Sequence, residues 1–152
     1  MCPEITESMR GESVRQLSIF ADNKVGWLNE LILLLSSQNI HVMALCAQDT
    51  TDTTIIRMIV DDHEKTRELL RRRGYAFTEC ELIVVEIDDE SKIKFVTTAL
   101  LEAEINIHYI YSFLMRPHGK SALAIRLEEN DMAAEILSSH QIKVLSQTDI
   151  SR

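Results

Sequence analysis

The feature that most restricts how this chain can fold is an internal repeat with a period of about 65 residues. When residues 16–42 are shifted by that period, they fall on residues 81–107 and apolar positions meet apolar positions. The matched pairs include Leu17 with Leu82, Leu35 with Leu100, and Val42 with Ile107. Further along, the shift grows by two residues, which the turn 115–120 absorbs. The pattern indicates that one supersecondary unit occurs twice.

Each copy predicts the order β-α-β-β-α-β from the change between strand and helix spacing. In copy one the predicted strands are 17–21, 40–47, 54–60 and 76–80, and the predicted helices are 25–38 and 61–73. In copy two the predicted strands are 82–87, 105–114, 121–127 and 142–146, and the predicted helices are 92–103 and 131–139. This order is typical of a ferredoxin-like sandwich, in which an antiparallel sheet packs one face against two helices. We therefore predict an α+β protein with two such units side by side.

The predicted domain limits follow from the repeat. Residues 1–15 are polar and are expected to form a flexible tail, residues 16–80 the first domain, and residues 81–152 the second. The last strand of copy one runs directly into the first strand of copy two. No room is left for a linker, so the two units must be neighbours.

Composition and charge exclude several kinds of partner. The formal net charge is -8, which disfavours binding to nucleic acid. No apolar run approaches the roughly 20 residues that cross a membrane, and the polar start has no apolar core of a signal peptide. We therefore expect a cytoplasmic protein with no membrane partner. The basic cluster 71–73 is interpreted as a solvated helix end.

No pattern of catalytic or metal-binding residues stands out. The three cysteines are far apart, which argues against a disulfide framework and a structural zinc site. No helical histidine pair, nucleophile elbow or phosphate-binding glycine loop is present. His63, His118 and His140 fall in polar contexts and are expected at the surface. We predict no metal, no cofactor and no enzymatic activity; a small enzyme on the same scaffold and a purely structural subunit are the alternatives.

The turn into the first helix is the best candidate for a ligand site. A helix start presents unpaired backbone N–H groups and a partial positive charge, which suit a carboxylate. Gly26 lets another group approach the backbone, and Asp22 or Asn23 can hold an ammonium group. An amino acid would be satisfied at both ends by this loop. The alternative is ordinary helix capping by Asp22 or Asn23 with a turn glycine.

The stretch QLSIFADNKVGWLNELILLLSSQNIHVMAL resembles the opening of an ACT domain, with a strand, a D-x-x-x-G loop, a helix with leucine at core positions, and I-H-V leading into strand two. Copy two repeats the ending as residues 104–108. The chain is similar to small proteins made of two ACT domains alone. The resemblance implies a regulatory module that binds an amino acid between adjacent ACT domains, as a homodimer, with an amino-acid biosynthetic enzyme as a potential partner. The kind of amino acid, small, branched or basic, stays open.

The resemblance also implies which residues contact the ligand. From copy one they are the first loop and the start of strand two, namely Asp22, Asn23, Lys24, Val25, Gly26, Trp27, Asn39, Ile40, His41 and Val42. From copy two we expect the strand start, namely Ile105, Asn106, Ile107 and His108. The copy-two loop departs from the pattern, because Ser91 replaces the glycine and three acids, 88–90, would repel a carboxylate. We therefore expect one site per chain.

Three aromatic or histidine features keep two interpretations each. Trp27 either covers the ligand or an interface, or packs over the sheet edge. His41 and His108 either contact the ligand or point outward. Tyr109 and Tyr111 alternate with Ile110, so that one face of this strand is expected in the core and the other in an interface.

Overall fold

A computed structural model describes residues 12–22 and 25–151. Of the expected flexible tail, residues 1–15, only residues 12–15 lie within the described part. Copy one contains β1 (Val14–Ala21), α1 (Trp27–Ser37), β2 (Val42–Asp49), β3 (Thr54–Val60), α2 (His63–Arg72) and the first part of β4 (Ala76–Ile87). Copy two contains the rest of β4, α3 (Ile93–Glu102), β5 (Ile107–Ser112), β6 (Ser121–Leu127), α4 (Asn130–Ser139), β7 (Val144–Leu145) and α5 (Gln147–Ile150). Single turns of 3-10 helix, Glu90–Lys92 and Pro117–Gly119, precede α3 and β6.

The predicted repeat is present in the backbone as well as in the apolar pattern. The first helix of each copy is followed two residues later by a left-handed residue, Asn39 at φ 59° and Glu104 at φ 57°. The second helix of each copy is also followed by one, Gly74 at φ 75° and Gln141 at φ 65°. The sequence separation of Asn39 and Glu104 equals the shift of the repeat before its two-residue change. The separation of Gly74 and Gln141 equals the shift after that change. The two copies therefore turn out of their helices in the same way.

Each copy has its own core between its helices and one face of the sheet. In copy one, Leu31 and Leu35 of α1 pack with Leu17 and Ile19 of β1. In copy two, Val96, Ala99 and Leu100 of α3 pack with Ile83 and Val85 of β4, among others. The alternating residues of the strands supply the sheet side of each core, as a period of two requires. The predicted α+β class with ferredoxin-like units is confirmed.

The strand β4 belongs to both copies. Its first part, from Ala76 to Leu82, pairs antiparallel with β1 as the last strand of copy one. Its second part pairs with β6 from Ile83 to Ile87 and with β7 at Val84 and Val85, as the first strand of copy two. The predicted boundary between residues 80 and 81 therefore falls inside one unbroken strand. The predicted start at residue 16 also falls inside a strand, because β1 begins at Val14.

The two four-stranded units form one sheet that curls back on itself. Its strand order is β2-β3-β1-β4-β6-β5, with β7 beside β4. The two ends of this order meet where Ala44 of β2 bridges Phe113 just after β5, and the N–H of Leu114 donates to the carbonyl of Met43 at 2.8 Å. Elsewhere, among the described residues, β2 and β5 are not paired with each other.

A third core fills the face of the curled sheet opposite the helices, and it joins the two copies. Val14 of β1, Ile59 of β3 and Val84 of β4 pack there with Ala122 and Ala124 of β6. The end of the chain contributes as well. The predicted strand 142–146 is shortened to β7, because the following residues form α5, which brings Ile150 into this core at 2% exposure.

Candidate ligand site

The loop after β1 presents an open helix start. Gly26 is the N-cap residue of α1 and has a left-handed φ of 87°, a conformation that a side chain disfavours. Among the described residues, no side chain caps the first turn of α1. Asp22 is exposed and Val25 is fully exposed, so nothing in the described chain covers this turn. Asn23 and Lys24 lie outside the described residues.

Asp62 and Asp89 each close a helical start with their own side chain, whereas Glu129 at the start of α4 makes no such capping hydrogen bond. Asp62 accepts from the N–H of Lys65 at the start of α2, at 3.1 Å. In copy two, Asp89 accepts from both the N–H and the hydroxyl of Ser91, and these hydrogen bonds hold the pKa of Asp89 below its ordinary value. The copy-two loop therefore satisfies its own amide, whereas no described side chain does so at the start of α1.

Trp27 lies beside this open turn but leans toward the core of copy one. Its ring meets Tyr75 edge-on, with the centroids 6.2 Å apart and the planes at 69°. It is half-buried and packs against the core formed by α1 and the sheet. Trp27 is therefore anchored at its base, and its remaining surface borders the loop.

The start of β2 is held by the turn that follows β3. The N–H of His41 donates to a carboxylate oxygen of Asp61 at 2.9 Å, and the N–H of Asp61 donates to the carbonyl of His41 at 3.0 Å. Ile40 is buried, Val42 is half-buried, and Asn39 is exposed. This segment lies at the far end of the sheet from the loop, because Val42 pairs with Val60 whereas Ala21 pairs with Thr54.

The start of β5 is also remote from the loop within one chain. Ile107 pairs with Leu127 of β6, and Ile83 of β4 pairs with Ile125, so the start of β5 is level with a point two residues before Ile83 in β4. The end of β1, in contrast, is level with Ala76 of β4. That offset is about five residues along β4, or roughly 17 Å at the rise of an extended strand. Asn106 and His108 are exposed. The structure therefore does not bring the three expected segments together in a single chain. The copies are offset along the shared strand β4, so the start of β5 and the loop at Gly26 lie at different levels of the sheet.

Sequence reasoning missed a polar cluster inside the curled sheet. Gln16 is fully buried; its amide nitrogen donates to the hydroxyl of Tyr109 at 2.7 Å, and the hydroxyl of Tyr111 donates to its amide oxygen at 2.6 Å. Both tyrosines thus face inward, and Ile110 is 40% exposed. The alternation of residues 109–111 indicated their common face, but Gln16 stood on the predicted domain boundary, where no partner was expected.

His63 is the one histidine whose expected surface position is wrong. Its exposure is 3%, since α2 packs its first turn on β4, and its Nε2 lies 2.5 Å from a carboxylate oxygen of Glu79. Burial lowers the pKa of His63, and the bond to Glu79 opposes this shift. His140 is exposed as expected, and the side chain of His118 lies outside the described part.

Metal-binding clusters and membrane-spanning helices are both absent from the described residues. No group of three or more His, Cys, Asp or Glu residues in 12–22 and 25–151 is arranged to hold a metal ion. In the same ranges, no helix combines the length and the apolar character that crossing a bilayer demands. Cys46 and Cys80 are free and half-buried.

The geometry defines a class: two ferredoxin-like units fused through a common strand, with a left-handed glycine at the start of the first helix. The family model of the ACT domain pair matches residues 12–152. The chain therefore belongs to the ACT domain pair family, as the sequence resemblance predicted. No curated protein matches the sequence.

Solved structures extend the comparison. Protein BT0572 from Bacteroides thetaiotaomicron is similar over 94% of this chain and 99% of its own, with 27% identity and a TM-score of 0.84. The ligand-free regulatory subunit of aspartate kinase from Thermus thermophilus is 14% identical, with a TM-score of 0.61 over 85% of this chain and 91% of its own. A structure of aspartokinase alpha and beta subunits is 18% identical, with a TM-score of 0.53 over 82% of this chain and 90% of that chain. The last two likenesses concern the fold.

Proposed function

We propose that this chain is a non-enzymatic regulatory module that binds an amino acid at the open start of α1. The observation that carries this proposal is the helix start at Gly26, which no part of the chain in 12–22 and 25–151 caps with a side chain or covers. Membership of the ACT domain pair family supports a regulatory role, since the resemblance implies amino-acid binding at ACT interfaces.

The loop suits both charged ends of an amino acid. The backbone N–H groups of the first turn of α1 would bind the carboxylate, helped by the partial positive charge of the helix start. The carboxylate of Asp22, at the end of β1, would bind the ammonium group. A Cβ at position 26 would meet no atom within 4 Å, so the approach to the backbone is open. Val25 offers an apolar surface to the ligand side chain.

A second copy of the chain would supply the other wall of the pocket. Within one chain, the start of β5 lies too far from the loop to share a ligand with it, by the register of β4. In a homodimer, the exposed residues Asn106 and His108 of a second chain can face the loop.

The partner that we propose for this module is an amino-acid biosynthetic enzyme. A regulatory module of this kind acts by changing the activity of a catalytic protein. The similar chain from Thermus thermophilus is a regulatory subunit of this kind, that of aspartate kinase. Its likeness to the present chain supports a role beside an enzyme and leaves the identity of that enzyme open.

A thermal-shift screen of the twenty amino acids tests the proposal. A ligand present at about 100 times its Kd raises the free energy of unfolding by about 2.7 kcal/mol, because it binds the folded state alone. We expect one amino acid, or one chemically related group, to raise the Tm in a saturable manner. If none of the twenty does so, with the oligomeric state verified by light scattering, amino-acid sensing is wrong and the purely structural alternative gains support.

The variant Gly26→Leu locates the site, and Gly74→Leu is its matched control. Both glycines are exposed, both have a left-handed φ, and neither has an atom within 4 Å of an added Cβ. Each variant therefore suffers a similar backbone strain of about 1–2 kcal/mol. We expect Gly26→Leu to lose the response to the amino acid and Gly74→Leu to keep it. Equal responses in the two variants would place the ligand elsewhere.

A further inference from the structure

A slot in the curled sheet lies outside the proposed amino-acid site. The slot is the opening between residues 45–49 of β2 and residues 107–111 of β5. These two segments diverge from the bridge between Ala44 and Phe113, and among the described residues neither is paired on the edge that faces the other. The slot leads to the face of the sheet that carries the core shared by the two copies.

One wall of the slot is rigid. The buried amide of Gln16 is bonded to the hydroxyls of both Tyr109 and Tyr111, which ties β5 of copy two to β1 of copy one. The two rings are stacked, with centroids 6.3 Å apart and planes at 27°. Since buried, fully bonded side chains keep one rotamer, the ring of Tyr109 is a fixed aromatic surface at the opening.

Two arginines stand at this wall, and each donates a single side-chain hydrogen bond within the part of the chain that the structure describes. The guanidinium of Arg57 lies 4.2 Å from the centre of the Tyr109 ring and donates to the side-chain oxygen of Gln48 at 2.7 Å. Arg126, the register partner of Tyr109, donates to the carbonyl of Leu127 at 3.0 Å. A guanidinium has five N–H donors. In 12–22 and 25–151, neither arginine forms an ion pair with an acidic residue, although acidic residues outnumber basic ones, 24 to 16.

The positive charge of both arginines acts on the same point. The charges of Arg126 and Arg57 each favour the thiolate of Cys80, against the burial that raises the pKa of this thiol above its ordinary value. Cys80 is on β4 and faces Gln16 in the register of β1. The inner end of the slot is therefore electropositive in a protein whose formal net charge is -8.

We propose that the slot between β2 and β5 binds a small oxyanion, a carboxylate or a phosphate, through the guanidinium groups of Arg57 and Arg126. The planar, forked donors of arginine match the paired oxygens of both groups. The contact with the ring of Tyr109 holds the guanidinium of Arg57 in place before the anion binds. The ligand must be small because Tyr111 and Phe113 fill the space beyond. This site shares no residue with the loop at Gly26 and goes beyond the proposed function.

Titration calorimetry with succinate and with inorganic phosphate, against sodium chloride of equal ionic strength, tests the slot. We expect saturable binding of at least one of the two anions by the wild-type chain. Arg57→Met and Arg126→Met should each weaken it by about tenfold or more, because each removes charge-assisted hydrogen bonds. Arg116→Met removes one positive charge from an exposed arginine outside the slot and should leave the affinity unchanged. The anion that binds more tightly identifies the source of the oxyanion.

Two further variants separate this site from the fold and from the amino-acid site. Arg57→Lys keeps the charge but not the fork, so we expect an affinity between those of the wild type and Arg57→Met; near-UV circular dichroism of the tyrosines verifies that the variants fold. Gly26→Leu should bind the oxyanion normally, whatever becomes of its response to amino acids. The proposal is overturned if neither anion binds saturably, or if Arg116→Met weakens binding as much as the two slot variants do.

Discussion

At the scale of single residues, the repeat is clearest in the left-handed residues that follow the helices of each copy. Copy one uses Gly74 in the left-handed region after its second helix, and copy two uses Gln141 at the equivalent place. A residue with a Cβ is disfavoured there by roughly 1–2 kcal/mol, whereas glycine is not. The second copy thus carries a strain that the first copy avoids.

This difference predicts that Gln141→Gly stabilises the protein. The expected gain in the free energy of unfolding is about 1 kcal/mol, because relief of the left-handed strain exceeds the added freedom of glycine in the unfolded chain. Chemical denaturation with an unchanged m-value measures it. Ser138→Gly, inside the last turn of α4, is the control and should destabilise by about 0.5–1 kcal/mol. A loss of stability in Gln141→Gly would show that the strain is relieved by other contacts.

At the scale of elements, α2 is attached to the sheet by charged side chains as well as by its leucines. Its first residue, His63, contacts Glu79 of β4 within the fold. Glu64 accepts from Arg15 of β1 at 2.7 Å and also pairs with Arg67, which lies 3.6 Å from Glu79. The histidine is therefore surrounded by both signs of charge, and burial dominates its titration.

The attachment of α2 predicts a specific loss of stability in weak acid. Burial lowers the pKa of His63 below its ordinary 6.5, with the bond to Glu79 and the charge of Glu64 opposing and that of Arg15 assisting. Between the lowered value and 6.5, the unfolded chain binds more protons than the folded chain, so stability falls as the pH falls through this window. In His63→Gln, denaturation from pH 7 downward should show a shallower loss than in the wild type.

The exposed His140, at the end of α4, provides the control for this measurement. His140→Gln should keep the pH dependence of the wild type. Identical slopes for the wild type and His63→Gln would mean that the buried imidazole does not titrate differently in the two states.

The extent to which sequence predicts this molecule differs between elements and their arrangement. The apolar spacing of residues such as Leu31, Leu35 and Leu100 predicted the helices and their buried faces, because period and burial are local properties. The sequence predicted that the last strand of copy one leads directly into the first strand of copy two, but it treated them as two strands, 76–80 and 82–87, whereas the structure has the single strand β4. The closure of the sheet rests on a backbone bond from Leu114 to Met43, which side-chain patterns do not encode. The distance between the loop at Gly26 and the start of β5 depends on that closure and on the register of β4.

At the scale of the whole molecule, the two copies cannot be separated without exposing a common core. The core on the sheet face opposite the helices combines Val14 and Ile59 of copy one with Ala122 and Ala124 of copy two. The end of the chain crosses back as well, because the N–H of Gln147 donates to the carbonyl of Glu12 and the hydroxyl of Ser151 donates to the carbonyl of Asp61.

We therefore predict that the full chain unfolds in one cooperative transition. Far-UV circular dichroism and the fluorescence of Trp27, which lies in copy one, should give coincident curves, and the calorimetric and van't Hoff enthalpies should agree. Chains cut between residues 80 and 81 should each fail to fold alone, since each half loses a strand neighbour and part of the shared core. Two resolved transitions, or a folded isolated half, would contradict the prediction.

The unbroken strand β4 also has a mechanical meaning. A chain of two modules usually has a joint between them, at which a disturbance in one module dies out as the joint bends. Here the place where a joint would be is paired with neighbouring strands. We therefore expect a change of twist at Ala76 to be transmitted along the strand as far as Ile87. Binding that changes the twist of the sheet in one copy is therefore expected to change the twist in the other copy as well.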